Sequence, residues 1–318
     1  GSRFFFLDQD RELQQEEPLK RIKGLVIPPA WERVWICKLE NGHLQATGYD
    51  KNNRKQYRYH AQWVALRNQT KYYRLREFAE RLPQIRARRQ EDLALGGFPR
   101  RKVLAAVVSL LEFVNVRVGS AFYEKLYGSF GLTTLKNRHA DVKGSRLHFS
   151  FKGKKGVRRQ VSLKNRRLAR IVQGCKEIPG KELFEYYDES GEVQGVDSGM
   201  VNEYIRDIAA GDFTAKDFRT WAGSVTALEA LAQAGGFDTQ AEMNRKIAAA
   251  MDLVAQKLGN TRAVTRKYYV HPLILELYQQ NKLEQYTRLL YKASDDDDQT
   301  GYSAAEKVLL TILQTNGS

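Results

Sequence analysis

The sequence predicts an α+β protein: a small β-rich N-terminal lobe followed by a larger, mainly helical lobe. Three observations lead there. Strand-forming runs alternate with turn signals between Leu25 and Tyr59, apolar residues recur at helical spacing beyond Pro99, and one alternating run, Arg146 to Leu163, interrupts the helical part. The 318 residues suffice for two domains at roughly 100 to 200 residues each. The expected division is 1–74 for the β-rich lobe, 75–98 for a helical connection and 99–318 for the helical lobe.

In the first lobe, Trp31 to Leu39, His43 to Tyr49 and Lys55 to Tyr59 read as strands of a small sheet of hairpins. Asn41-Gly42 between two of them predicts a tight type I′ turn, because both residues tolerate positive φ. Leu75, Phe78, Leu82 and Ile85 then recur at helical spacing until Leu95-Gly96-Gly97-Phe98-Pro99 interrupts them. Val103 to Val118 has a broad apolar face and is expected to end at Gly119. In the alternating run, Leu147, Phe149 and Phe151 precede Gly153-Lys154-Lys155-Gly156, with Val157 and Val161 beyond, which predicts a hairpin with a basic glycine turn. Helical patterns resume over Val201 to Ala210, Trp221 to Ala234, Met243 to Leu258, Pro272 to Leu290 and Ala304 to Leu313, and Asp295 to Asp298 reads as a solvated loop before the last.

Lys and Arg number 52 against 37 Asp and Glu, a net charge of +15, in a chain with 42% apolar residues that is able to bury a core. A globular protein with such an excess has a positive face, whose default partner is a polyanion. The excess is concentrated: from Lys143 to Lys176 there are twelve cations and no acid. A second basic segment, Arg54, Lys55, Gln56, Tyr57, Arg58 and Tyr59, interleaves aromatic and polar residues, and strand alternation places Tyr57 and Tyr59 on one face. Duplex DNA fits better than single strands, since no dense array of stacking aromatics is visible.

Other classes are disfavoured. No run of about 18 apolar residues occurs, and Asp8 and Asp10 follow too soon after Phe4 to Phe6 for a signal peptide, so no membrane partner and a cytoplasmic, nucleoid-associated location are expected. Cys37 and Cys175 cannot build a disulfide framework, and the five histidines have no metal-ligand spacing, so no metal is expected. No phosphate-binding glycine loop with Lys-Ser/Thr is present, so neither ATP nor another small-molecule cofactor is expected. For a basic chain acting on phosphodiesters, there remains covalent catalysis by a side-chain nucleophile with cations in place of a metal.

Five ordered blocks sharpen this: Leu111 to Gly119, Tyr127 to Leu135, Phe151-Lys152-Gly153-Lys154, Phe213 to Trp221, and Arg266-Lys267-Tyr268-Tyr269-Val270-His271-Pro272. With Ile27-Pro28-Pro29-Ala30-Trp31 and Arg54 to Tyr59, they resemble the type IB DNA topoisomerases, in particular the poxvirus-like bacterial branch, from about Leu19 to Leu290. The resemblance implies the fold shared by type IB topoisomerases and tyrosine recombinases, with two lobes clamping a DNA duplex, one three-stranded sheet in the catalytic lobe, and a monomer that relaxes supercoils through a 3′-phosphotyrosyl intermediate without ATP or metal.

It also implies roles. Tyr269, directly before Val270-His271-Pro272, is the expected nucleophile; Arg117 and Arg219 are the expected ligands of the nonbridging oxygens; Lys154 is the expected general acid, with Lys155 beside it as an alternative. Asn260 stands where the family often has His, nine residues before the tyrosine, and can donate a hydrogen bond but not titrate. Arg262 stands where Pro is common, and His271 is expected to be structural. DNA contacts are expected from Arg54, Lys55, Gln56, Tyr57, Tyr59, Lys155 and Arg158. The alternatives are a tyrosine recombinase, whose second arginine usually lies in His-x-x-Arg rather than the Lys216-Asp217-Phe218-Arg219 found here, and a noncatalytic basic DNA-binding protein.

Overall fold

A computed structural model describes residues 5–8, 11–51, 53–292 and 301–316, without the side chains of 65, 67–71 and 289–292. The acidic run Asp295 to Asp298 lies outside the described residues. The chain divides into two compact units, Gly1–Lys71 and Tyr72–Ser318.

The first unit contains the short antiparallel pair β1 (Leu7–Asp8) and β2 (Arg11–Glu12), helix α1 (Glu16–Gly24), and an antiparallel sheet of β3 (Glu32–Ile36), β4 (Leu44–Tyr49) and β5 (Lys55–Tyr59), with β4 central. The β3–β4 connection is not the expected two-residue turn, and neither Asn41 nor Gly42 has positive φ. The buried Gln45 amide accounts for the longer loop: it donates to the carbonyls of Leu39, Glu40 and Gly42 at 3.1, 2.9 and 2.7 Å, satisfying backbone that a tight turn would have paired. Arg58 anchors the sheet by donating to the carbonyls of Leu25 and Val26 at 2.9 and 2.7 Å. As alternation requires, Tyr57 and Tyr59 share a face, with their rings stacked 6.2 Å apart and both exposed.

Helix α2 (Ala61–Leu93) crosses the division between the units. Leu75, Phe78, Leu82 and Ile85 are each 2% exposed or less within the second unit's core, so the segment expected to connect domains is part of that core. Pro83 inside α2 cannot donate to the carbonyl of Ala79, and the Tyr302 hydroxyl donates to that oxygen at 2.7 Å instead.

Helix α3 (Arg100–Val114) has ten buried residues and packs against later helices. It stops earlier than its apolar pattern predicts because Asn115 takes the left-handed conformation (φ 52°) and closes the last turn. There follow α4 (Ala121–Tyr127) and the antiparallel sheet of β6 (Ala140–Lys143), β7 (Arg146–Lys152) and β8 (Arg158–Lys164), whose β7–β8 hairpin has the expected basic glycine turn. Then come α5 (Arg166–Cys175), the pair β9 (Glu185–Tyr187) and β10 (Val193–Gly195), α6 (Ser198–Ala209), α7 (Ala215–Ala234), α8 (Gln240–Leu258), α9 (Arg262–Tyr268) and α10 (Pro272–Gln279). The helix expected to run from Pro272 to Leu290 is two, since Asn281 (φ 56°) separates α10 from α11 (Glu284–Lys292); α12 (Ala304–Asn316) closes the order. No helix among the described residues is long and apolar enough to cross a membrane.

An ionic network runs through the core. Glu112 on α3 accepts from Arg86 at 2.7 Å and from Arg89, both on α2, and Arg86 also reaches Glu306 on α12 at 2.8 Å. Burial opposes the charge on Glu112, but the two guanidiniums hold its carboxyl below the usual carboxylate range. Glu306 in turn accepts from the Trp221 indole on α7 at 2.9 Å.

Candidate active site

Arg117 lies three residues beyond the last residue of α3, on a strip held by its neighbours. Leu132 N donates to the Arg117 carbonyl at 3.0 Å and Thr133 N to the Val118 carbonyl at 2.7 Å. Two glycines permit the approach: a Cβ on Gly131 would lie 2.5 Å from Gly119 Cα and 2.7 Å from the Arg117 carbonyl oxygen. The Arg117 guanidinium donates to the carbonyl of Gly259 at 3.2 Å and to the amide oxygen of Asn260.

Arg219 comes from the second turn of α7. Asp217 starts that helix, accepting from the Thr214 backbone and hydroxyl at 2.8 and 2.9 Å in a capping box. Arg219 is 4% exposed and donates to the carbonyls of Asn115 and, at 2.9 Å, Leu258. Its Nε, buried, has no partner among the described residues. Burial first, and then repulsion from Arg117, push its pKa down to about 10, still far enough above neutrality to keep the charge.

Asn260 follows Gly259, which ends α8 in the left-handed conformation (φ 63°). Its backbone N–H returns to the Ala255 carbonyl at 2.9 Å, and the side-chain Nδ2 is buried without a partner among the described residues. At the next position Thr261 caps α9, with Arg262 as the first helical residue. Pro suits that position because the N–H there has no intrahelical acceptor; Arg262 is compatible with it and pairs with Asp252, Nε to Oδ1 at 2.6 Å.

Tyr269 closes α9, donating its N–H to the Thr265 carbonyl at 2.9 Å. Its half-buried ring sits 5.2 Å from the Arg219 guanidinium carbon, and its side chain is in hydrogen-bonding and electrostatic contact with that group. The Lys267 ammonium lies 5.4 Å from the ring of the neighbouring Tyr268. His271 caps α10, its Nδ1 accepting from Leu273 N at 3.2 Å, and its ring lies edge-on to Tyr72.

The structure thus brings together Arg117, Arg219, Asn260 and Tyr269. Lys154 and Lys155 occupy the turn of the basic hairpin, where Lys155 takes φ 62°, and both are exposed. Arg158 is also exposed and donates to Ser150 at 3.3 Å. In the first unit Arg54 and Gln56 both reach Asp50, at 2.8 and 3.0 Å, while Lys55 lies exposed beside the Tyr57 ring.

One residue was missed. Arg159 on β8 donates to the carbonyls of Gln256 and Lys257 at 3.0 and 2.8 Å and lies within electrostatic reach of Arg117 and Arg219. The available signal was phase, since Arg159 alternates with Val161 and Leu163 on the hairpin's inward face. Burial lowers the pKa of all three arginines, and their hydrogen bonds go to backbone carbonyls, the Asn260 amide and the Tyr269 phenol. Carbonyl dipoles offset only part of three full charges, so the cluster is suited to an anion with several oxygens, such as a phosphoryl group beside a phenol.

Comparison with known proteins agrees with this chemistry. The model of the eukaryotic DNA topoisomerase I catalytic core matches residues 55–295, and that of the bacterial DNA topoisomerase IB N-terminal domain matches residues 3–50. DNA topoisomerase 1B of Acanthamoeba polyphaga mimivirus is 30% identical over 285 residues, covering 87% of this chain and 84% of the viral protein. A partly buried arginine cluster around a tyrosine, reached in the same block order and matched across most of the chain, makes this protein a member of the type IB DNA topoisomerase family.

Proposed function

We propose that this isomerase relaxes supercoiled duplex DNA with Tyr269 as its nucleophile. The phenol oxygen attacks phosphorus and forms a 3′-phosphotyrosyl ester, while the bond to the 5′-oxygen breaks. The phenol proton passes to water and the leaving oxygen takes a proton from Lys154. The broken strand swivels about the intact one, after which the 5′-hydroxyl attacks the ester, restores the phosphodiester and releases the phenol. One phosphoester is exchanged for another, so the cycle needs no ATP.

Arg117 and Arg219 bind the nonbridging oxygens, where charge grows as phosphorus becomes five-coordinate, and guanidiniums match those oxygens with fixed paired donors. Asn260 Nδ2 supplies a neutral donor. Free tyrosine has a pKa of about 10, and a cation beside the phenol favours the phenolate that must form. Lys55, Tyr57 and Tyr59, with Arg54, Gln56, Lys155 and Arg158, contact the duplex. A monomer suffices, because one chain contains every group named.

The observation that supports this reading most is the meeting of Arg117, Asn260 and Arg219, distant in sequence, beside Tyr269. The test is supercoiled plasmid incubated with the protein and EDTA. Relaxation, a denaturation-resistant protein–DNA adduct at Tyr269, and loss of both with retained binding in Tyr269→Phe are expected. An adduct at another side chain, or relaxation by Tyr269→Phe, overturns the assignment; strand exchange between duplexes without relaxation favours a recombinase.

A further inference from the structure

Arg159 touches both turns of the proposed site from a position outside the roles assigned above. Its aliphatic stem runs under the hairpin turn, with Cγ 3.1 Å from where a Cβ on Gly153 would stand, next to Lys154. Its guanidinium caps the C-terminal end of α8, donating to the carbonyls of Gln256 and Lys257 at 3.0 and 2.8 Å. Those carbonyls form the negative end of the helix dipole, where Gln256 receives only a long 3.3 Å bond from the Gly259 N–H, so a cation with two parallel donors suits them. Gly259 completes the fit: a Cβ there would lie 2.7 Å from Arg159 Nη1, and the residue after it is Asn260. The Gly259 carbonyl also accepts from Arg117 at 3.2 Å.

We propose that Arg159 is a positioning residue for cleavage, docking the hairpin turn that carries Lys154 onto the α8 terminus that carries Asn260. The proposal rests on the role of Lys154 stated above. Without this tie the hairpin turn loses its two hydrogen bonds to the α8 terminus, and Lys154 reaches the leaving oxygen less often. The nonbridging-oxygen ligands Arg117 and Arg219 keep their own anchors on Gly259, Asn115 and Leu258.

The test is single-turnover cleavage of two DNA substrates that differ in the scissile position, one with the natural 5′-bridging oxygen and one with sulfur there. A thiolate leaves without a proton, so the sulfur substrate bypasses the general acid. Arg159→Ala is expected to slow cleavage of the oxygen substrate about 100-fold at saturating protein, the scale of a misplaced catalytic group. The sulfur substrate should recover most of that loss, and adding Arg159→Ala to Lys154→Ala should cost little more. Arg159→Lys, which keeps a cation at the helix end but cannot span two carbonyls, should show a smaller loss with the same rescue, and carries the test if the alanine variant does not fold.

Equal losses on both substrates, a loss confined to DNA affinity, or no loss overturn the proposal. Lys154→Ala separates the levels. If sulfur rescues Lys154→Ala but not Arg159→Ala, only the role of Arg159 falls; if sulfur rescues neither, the assignment of Lys154 falls and this role with it.

Discussion

Gly223→Ala sets two effects of one methyl group against each other. Gly223 lies inside α7, where alanine is favoured over glycine by about 1 kcal/mol. Its Cβ, however, would stand 2.3 Å from the carbonyl oxygen of Tyr269 and 3.2 Å from Leu258 Cδ1. To reach ordinary contact that carbonyl must retreat by about 1 Å. Overpacking of this kind costs about 1–3 kcal/mol. Offset by helix propensity, the net destabilisation is about 0–2 kcal/mol, which for a unit of this size lowers Tm by no more than about 8 °C. The displaced atom belongs to the proposed nucleophile, and a misplacement of about 1 Å costs about 100-fold in rate. Single-turnover cleavage and a thermal melt on the same preparation should therefore show a large loss of rate beside a small loss of stability. A rate within about threefold of wild type together with a Tm raised by about 2–4 °C, the signature of propensity alone, would refute the reasoning.

Three further predictions concern other residues. Asn260→His should introduce an ionisation into the cleavage rate that the wild type lacks, with an apparent pKa below the usual 6.5 of histidine because Arg117 lies beside it; a pH–rate profile of both proteins checks this. Burial pushes the Tyr72 phenol up to about 12, so its neutral form is favoured in the folded chain; the stability this contributes is complete below pH about 10 and lost as pH rises toward 12. Melts of wild type and Tyr72→Phe from pH 9 to about 11.5 should show the difference moving in favour of the variant. Cys175, fully buried with its thiol pushed up to about 12, should resist a thiol reagent at pH about 8 until the chain unfolds, whereas half-buried Cys37 should react first; two thiols reacting together at the native rate would contradict the packing around α5.

Local features were the legible ones. The basic hairpin follows from alternation around Gly153 and Gly156, and the long apolar face of α3 follows from periodicity, because both are decided by neighbours along the chain. Helix ends were less legible. Asn115 and Asn281 stop helices whose apolar pattern continues, and a single left-handed residue leaves no trace in periodicity. The Asn41-Gly42 turn failed because a side chain three positions on, Gln45, offered the backbone a better set of partners. The site could be assembled only through block resemblance, since Arg117 and Asn260 meet across 143 positions and no spacing rule connects them. Arg159 was concealed among twelve cations, although its phase on β8 distinguished it from Arg158.

The carboxylate of Glu306 has a consequence for when the protein becomes dangerous to DNA. It lies on the last described helix and is the acceptor for Trp221, two residues from Arg219 on the helix that brings this arginine to the tyrosine. A nascent chain stalled before Ser303 has made the tyrosine and all three arginines but leaves the indole N–H of Trp221 and the guanidinium of Arg86 without that oxygen pair. Fragments that end before Ser303, whether from stalling or proteolysis, should therefore be poor nicking agents even with their nucleophile intact.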